Sequence, residues 1–274
     1  MSHRRLGYAD LDQSNDAARS HPMAPNLDSG IGANRPRCEI GSPLASRASP
    51  RQDRRMNKPF GNDDPGLAAY VTRAYAPEDE VLREIRERST REGLPDIQLA
   101  ALDARHLEIL ARACQARRAV EIGTLGGYSG VAILRGTGSS GTLDTVEIEP
   151  KHASIARESF RKAGFGDRAR VHVGAAKKVL PQLTSRGPFD LCFIDADKEG
   201  YPAYLDWAAK NLRQAGLVIL DNAFLFGHLA EEPKGDLAEA IAAMQKTHEI
   251  LAHDERFRST VLPTGEGLAV GVRI

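Results

Sequence analysis

Cysteine is scarce in this chain, with three among 274 residues, at positions 38, 114 and 192. An odd number without a repeated spacing excludes a framework of paired disulfides. Cys114 and Cys192 fall inside a predicted helix and a predicted strand. We therefore predict reduced thiols, which are typical of a cytoplasmic protein.

Two further features are missing: a long apolar run and an excess of charge of one sign. No stretch approaches the ~18 apolar residues of a membrane span, and the first residues lack the apolar core of a signal peptide. The 37 Lys and Arg residues balance 37 Asp and Glu residues, so charge favours neither nucleic acid nor an anionic membrane as a partner. The 41% of hydrophobic residues can form one substantial α/β core.

The chain divides unevenly. Residues 1–60 are rich in Ser, Pro, Arg, Asn and Asp and have few large apolar side chains, which predicts a disordered N-terminal tail. The periodic pattern begins afterwards, so we expect one domain over residues 61–274. Helices are predicted over residues 67–75 and 78–91, with Pro77 at the start of the second, and Asp103 is expected to cap a third that ends at Cys114.

Strands and helices alternate from Ala119 to Asn222, which is typical of a parallel sheet covered on both faces. A helix over residues 237–252 and a hairpin formed by residues 257–262 and 268–274 follow. This order predicts an α/β fold with a doubly wound, seven-stranded, mostly parallel sheet that ends in an antiparallel hairpin.

The stretch AVEIGTLGGYS, residues 119–129, joins an apolar run to a glycine-rich turn through Glu121. Glycines at 123, 126 and 127 allow a tight turn and a close approach of the backbone to a ligand. The spacing is not the G-x-G-x-x-G of a dinucleotide site, because position 125 is leucine. The layout is typical of an S-adenosylmethionine site in which the Glu121 carboxylate meets a cationic amine; a strand-to-helix turn without a ligand is the alternative.

A second run, residues 141–147, ends at Glu147, in the position where nucleotide-binding α/β proteins contact ribose hydroxyls. A solvated carboxylate at a strand end is the alternative. A third run, residues 169–173, leads to Gly174, Ala175 and Ala176, against which an adenine ring can lie.

Oxygen-bearing side chains follow two later strands. FDLCFIDADK, residues 189–198, brings Asp195, Asp197 and Lys198 to a strand end, and GLVILDN, residues 216–222, brings Asp221 and Asn222 to another. Two carboxylates and an amide oxygen suit a hard cation such as Mg²⁺, and the lack of Cys or His in the set disfavours zinc. The alternatives are helix caps and a turn at Asp221 and Asn222.

These motifs resemble those of the cation-dependent class I O-methyltransferases, the group that contains catechol O-methyltransferase and the caffeoyl-CoA O-methyltransferases. The resemblance covers residues 67–274, and VEIGTLGGYSG, IDADKEGY and ILDN carry it. It implies a Rossmann-like methyltransferase fold, usually as a homodimer. It also implies methyl transfer from S-adenosylmethionine to a hydroxyl of a catechol-like or caffeoyl-type small molecule.

The resemblance implies roles for individual residues. The S-adenosylmethionine contacts are Leu99, Glu121, Gly123, Thr124, Ser129, Glu147, Ala176 and Asp195. The ligands of the divalent cation are Asp195, Asp221 and Asn222, and Lys198 is the general base. This chemistry is self-consistent, because a cation lowers the pKa of a chelated hydroxyl and a lysine whose pKa falls below ~10.4 can accept the proton.

The chain departs from the family pattern at two places. It reads DNAFLFG after the last metal-bearing strand, with Leu225 where tryptophan is common, so we expect a reshaped acceptor pocket. It reads IQLAALDARHL where many relatives have a serine and a proline at the start of a helix. This difference lies next to Leu99, so it affects the cofactor contact that the resemblance implies for Leu99. Two other functions stay open: a nicotinamide-dependent oxidoreductase, which the glycine spacing disfavours, and a non-catalytic S-adenosylmethionine-binding module, which the metal set and the lysine disfavour.

Overall fold

Three helices precede the first strand in the computed structural model, which describes residues 64–274. The predicted tail and Cys38 lie outside the described residues. Helix α1 is Pro65–Tyr75, α2 is Glu80–Arg91 and α3 is Ala101–Ala113. The Asp79 carboxylate accepts the Leu82 N–H at 3.0 Å and so caps α2.

Two predicted helix starts were wrong. Pro77 precedes the second helix by three positions, because the capping carboxylate belongs to Asp79. Asp103 does not cap α3, because the helix already begins after Ala100 and places Asp103 in its first turn.

The strands and helices that follow alternate as predicted. The strands are β1 Arg118–Ile122, β2 Thr142–Glu147, β3 Ala169–Val173, β4 Phe189–Ile194, β5 Leu212–Leu220, β6 Phe257–Leu262 and β7 Leu268–Arg273. The helices are α4 Tyr128–Gly136, α5 Pro150–Lys162, α6 Ala176–Leu183, α7 Tyr201–Asn211 and α8 Ala238–His253. Strand β5 begins four residues before the predicted position.

The seven strands form one sheet in the order β3-β2-β1-β4-β5-β7-β6. Strands β1 to β5 are parallel, and β7 runs antiparallel to both β5 and β6. The predicted fold class, including the C-terminal hairpin, is therefore confirmed. The strand order reverses direction between β1 and β4, and open α/β sheets bind their ligands at such a switch point.

Alternate residues of the central strands enter two separate cores, because successive side chains of a strand point to opposite faces. Val120, Cys192 and Val218 belong to the core that α6, α7 and α8 cover. Ala119, Phe193 and Ile219 belong to the core that α2 to α5 cover. Burial on both faces explains why these strands read as continuous apolar runs.

The central strands end level with one another. Ile122 is paired with Val146 of β2 and Ile194 of β4, and Ile194 is paired with Leu220 of β5. The next residue of each strand forms a row at the carboxyl edge: Glu147, Gly123, Asp195 and Asp221. No helix within residues 64–274 is both long enough and apolar enough to span a membrane.

Candidate active site

A cavity of about 950 Å³ lies at the carboxyl edge of the sheet. Its wall contains seven of the eight residues that the sequence predicts to contact a cofactor: Leu99, Gly123, Thr124, Ser129, Glu147, Ala176 and Asp195. These residues are far apart in the sequence, and the parallel strands bring them to one place. The eighth, Glu121, lies beneath the glycine turn.

The glycine turn is needed for packing as well as for any ligand. Gly123 has a φ of +96°, and a Cβ atom there would lie 1.8 Å from the backbone oxygen of Asp195. A Cβ atom on Gly126 would lie 2.2 Å from the Ser89 hydroxyl. The predicted tight turn is present, and the missing side chains let β1 and β4 approach at the switch point.

Glu121 is fully buried. The Ser129 hydroxyl donates to Oε1 and the Thr145 hydroxyl donates to Oε2, both at 2.6 Å. Burial raises the pKa of Glu121 to about 8, although the two hydrogen bonds oppose this rise. The carboxyl group is therefore mostly protonated at neutral pH and supports the start of α4; its contact with a cofactor amine stays a prediction.

The Glu147 carboxylate also holds the glycine turn. Oε2 accepts the N–H groups of Thr124 at 3.2 Å and Leu125 at 2.8 Å, and Oε1 accepts the N–H of Glu149 at 2.9 Å. A carboxylate offers about four acceptor sites, so one further donor can bind. Glu147 lines the cavity, where a ribose hydroxyl can be that donor.

Lys198 is buried with its ammonium among the predicted metal ligands. Nζ lies 2.8 Å from Asn222 Oδ1, 3.5 Å from Asp195 Oδ1 and 2.6 Å from the Tyr201 hydroxyl. Asp221 is also buried. The structure therefore brings together the four side chains that the sequence selected for metal binding and catalysis.

Burial dominates the electrostatics of this group. It lowers the pKa of Lys198, although the neighbouring carboxylates of Asp195 and Asp221 favour the charged form. It raises the pKa of Asp221 well above the usual range, and the nearby Asp195 carboxylate adds to the rise. Burial is the largest cause of both shifts, so the site is poor in solvent.

The donor set fits a hard cation. Within residues 64–274, no three His, Cys, Asp or Glu side chains cluster as a metal site, and the set here is two carboxylates and one amide. The oxygens of Asp195 and Asn222 nevertheless converge on one cationic nitrogen. Oxygen donors that already surround a positive charge suit Mg²⁺ better than a soft metal.

Sequence patterns did not single out two supporting residues. Tyr201 accepts a hydrogen bond from Lys198, and its own hydroxyl lies 3.3 Å from the backbone oxygens of Ile194 and Asp221. His248 of α8 lies 2.8 Å from the backbone oxygen of Ala223, directly after the metal-ligand pair. Only the spacing of Tyr201, three residues after Lys198 at the start of a helix, could have suggested one of them.

The loop after β5 has an unusual backbone. Asn222, Leu225 and Phe226 have φ values of 51°, 49° and 53°, which non-glycine residues adopt infrequently. Leu225, expected to reshape the acceptor pocket, is fully buried in the core beneath α7 and α8 and is not part of the cavity wall. The replacement of the common tryptophan therefore changes the packing under the loop.

A family model described as "O-methyltransferase" matches residues 72–274. A catechol O-methyltransferase from Mycobacterium tuberculosis is 38% identical over 215 residues, which cover 78% of this chain and 89% of that protein.

Two solved structures resemble this fold. The O-methyltransferase from Bacillus cereus, in complex with SAH, has a TM-score of 0.72 and 32% identity, with coverage of 76% of this chain and 97% of that chain. An O-methyltransferase from Streptomyces achromogenes, involved in tomaymycin synthesis and in complex with SAM, has a TM-score of 0.70 and 32% identity, with coverage of 76% and 96%.

Proposed function

This chain belongs to the O-methyltransferase family and is a methyltransferase, and from that premise we propose that it transfers a methyl group from S-adenosylmethionine to a hydroxyl of a catechol-like or caffeoyl-type small molecule. Because the chain matches this family, the glycine turn does not indicate a nicotinamide-dependent oxidoreductase. Support for the donor comes from the SAH and SAM in the two similar structures. Support for the acceptor comes from the Mycobacterium tuberculosis relative, which is named a catechol O-methyltransferase.

The cavity has the parts that this donor needs. Glu147 has a free acceptor site for the ribose, Ala176 offers a small surface for the adenine, and Ser129 and Leu99 lie at the start of α4 and α3 for the amino-acid end. S-adenosylmethionine supplies an activated methyl group, so the residues need only orient it towards the acceptor oxygen.

Asp195, Asp221 and Asn222 would hold a divalent cation, most simply Mg²⁺. The bound cation would lower the pKa of an acceptor hydroxyl and orient two adjacent oxygens. The buried Asp221 carboxylate, with its raised pKa, gains most from a positive charge beside it.

Lys198 would accept the hydroxyl proton at Nζ. Its pKa is lowered by burial, which favours the neutral amine that a base requires. Tyr201, Asn222 and the Ala196 carbonyl accept hydrogen bonds from Nζ and so hold it beside Asp195, which lines the cavity.

One observation carries this proposal: the buried Nζ of Lys198 lies between Asn222 and Asp195, and Asp195 lines the cavity. The test is incubation with S-adenosylmethionine and a panel of catechols and caffeoyl esters, with product detected by a mass increase of one methyl group. A panel without any methylated product would contradict the proposed acceptor class.

Metal removal tests the cation separately. We expect EDTA to abolish methyl transfer and added Mg²⁺ to restore it. We also expect Asp221→Ala to lose activity and the binding of Mn²⁺, measured by calorimetry, because the remaining carboxylate and amide are too few hard ligands. Asp206→Asn, which changes an exposed carboxylate on α7, is the control. Full activity of Asp221→Ala in EDTA would contradict the metal assignment.

The proposal extends to a homodimer located in the cytoplasm. Leu67, Tyr70 and Tyr75 of α1 are exposed, and α1 has no buried residue. An apolar helix face of this kind suits a contact with a second copy. The cytoplasmic location rests on the small number of cysteines.

A further inference from the structure

Gln98 carries a buried amide nitrogen without a hydrogen-bond partner. The residue lies in the segment that leads into α3 and lines the cavity, next to Leu99. Leaving a buried donor unpaired is costly, so such groups usually mark a missing partner.

Arg86 fixes the orientation of this amide. Its Nη1 donates to Gln98 Oε1 at 3.2 Å. A guanidinium has donors and no acceptor, so the amide oxygen must face it and the NH₂ group must face away. The guanidinium is itself held, because Glu78 Oε1 accepts from Nη2 at 2.7 Å and the Leu99 carbonyl accepts at 3.3 Å.

The same contacts connect Gln98 with the start of α4. The Arg86 guanidinium lies 4.6 Å from the ring centroid of Tyr128, which begins the nine-residue helix α4 and precedes Ser129. Backbone N–H groups at a helix start favour an anion. Gln98 lines the same cavity as Tyr128 and Ser129, and its unpaired NH₂ group needs an acceptor. An anionic oxygen bound in this cavity suits both the helix start and the NH₂ group.

We propose that the Gln98 side-chain NH₂ group donates a hydrogen bond to the α-carboxylate of S-adenosylmethionine, an inference that rests on the proposed function. Arg86 and Glu78 are positioning residues for this contact. The adenosine half of the cofactor would contact Glu147 and Ala176 and would not touch Gln98.

The test is calorimetric binding of two ligands to the full chain. S-adenosylhomocysteine has the α-carboxylate, whereas 5′-methylthioadenosine has the same adenosine and thioether but no amino-acid end. Gln98→Glu keeps the oxygen that Arg86 binds and replaces the donor with an anionic oxygen. Gln182→Glu makes the same change on α6, where Gln182 Nε2 donates to the Lys178 carbonyl outside the cavity.

We expect Gln98→Glu to weaken the binding of S-adenosylhomocysteine by roughly tenfold or more, the loss typical of a hydrogen bond to a charged group, and to leave that of 5′-methylthioadenosine unchanged. We expect the ligand-free variant to unfold at the wild-type temperature or higher, because the introduced carboxylate would pair with Arg86. Lower stability with weaker binding would indicate a structural role. Gln182→Glu should bind both ligands like the wild type.

Equal weakening of both ligands would overturn the inference, because it would show a change in cavity shape. An unchanged affinity for S-adenosylhomocysteine with a raised KM for the acceptor would also overturn it, because the amide would then serve the acceptor. If the wild-type protein bound neither ligand, the donor in the proposed function would be wrong.

Discussion

At the scale of single residues, Glu121 links stability to pH. Its pKa is about 8 in the folded protein, against an ordinary value of 4.5 that applies after unfolding. The folded state therefore holds this proton more tightly. The resulting stability is fully present below pH 4.5 and is lost as the pH rises towards 8.

Glu121→Gln should remove this pH dependence, because the amide stays neutral. We expect the stability of the variant, relative to the wild type, to increase by a few kcal/mol between about pH 4.5 and pH 8, measured by urea unfolding at several pH values. Glu249→Gln, on the exposed side of α8, is the control and should show no trend. A constant difference between Glu121→Gln and the wild type would contradict the assignment.

Lys198 and Glu147 should give opposite kinetic effects. We expect Lys198→Ala to lower kcat by on the order of 100-fold with little change in cofactor affinity, as for a general base. Glu147→Ala should weaken cofactor binding, because the ribose loses a hydrogen bond. Steady-state kinetics and cofactor titration separate the two, with the exposed Lys210→Ala as control; matching profiles would contradict at least one role.

Sequence reasoning located the residues at strand ends but missed their support. Asp195 and Asp221 were selected as candidates because each follows an apolar run whose length and end are visible in the sequence. Gln98 was missed, and Tyr201 was set aside as a packing residue, because their partners, Arg86 and Lys198, meet them only through tertiary packing or local helix geometry. A hydrogen bond between α2 and the segment before α3 leaves no periodic signal.

At the scale of elements, the strands were easier to predict than the first helices. Burial on both faces makes β1 and β4 continuous apolar runs, which stand out in any sequence. The start of α2 depends on which of several polar residues caps it, and Asp79 takes that place rather than Pro77. Strand β5 begins early because Leu212 pairs with Phe189 before the register shifts.

Gly123 lets the ends of β1 and β4 approach each other closely, and its substitution tests that close approach. We expect Gly123→Ala to lower the free energy of unfolding by a few kcal/mol, because it adds both backbone strain and a clash with Asp195. Gly138→Ala is a matched control: its φ is +72° and a Cβ atom there meets nothing within 4 Å, so only the strain remains. Urea unfolding measures both, and equal losses would contradict the role of the close approach.

At the scale of the whole molecule, the apolar face of α1 tests the proposed homodimer. We expect light scattering to give twice the chain mass, and Leu67→Asp to shift the protein towards the monomer because it places a charge in the contact. Ile274→Asp is the control, since Ile274 has the same 45% exposure as Leu67. A monomeric wild-type protein, or a dimer that Leu67→Asp leaves intact, would contradict this use of α1.

The four central strands end level with one another, and this alignment fixes the distance between the residues at their ends as the sequence diverges. Neighbouring strands lie ~4.8 Å apart, so the row from Glu147 through Gly123 and Asp195 to Asp221 spans about 14 Å whatever side chains fill the cores. Substitutions within either core leave this distance unchanged, whereas the gain or loss of one residue in a strand reverses the direction of its side chains. Core replacements can thus accumulate, to the 38% identity with the Mycobacterium tuberculosis relative, without changing the distance between the proposed nucleoside and cation sites of this fold.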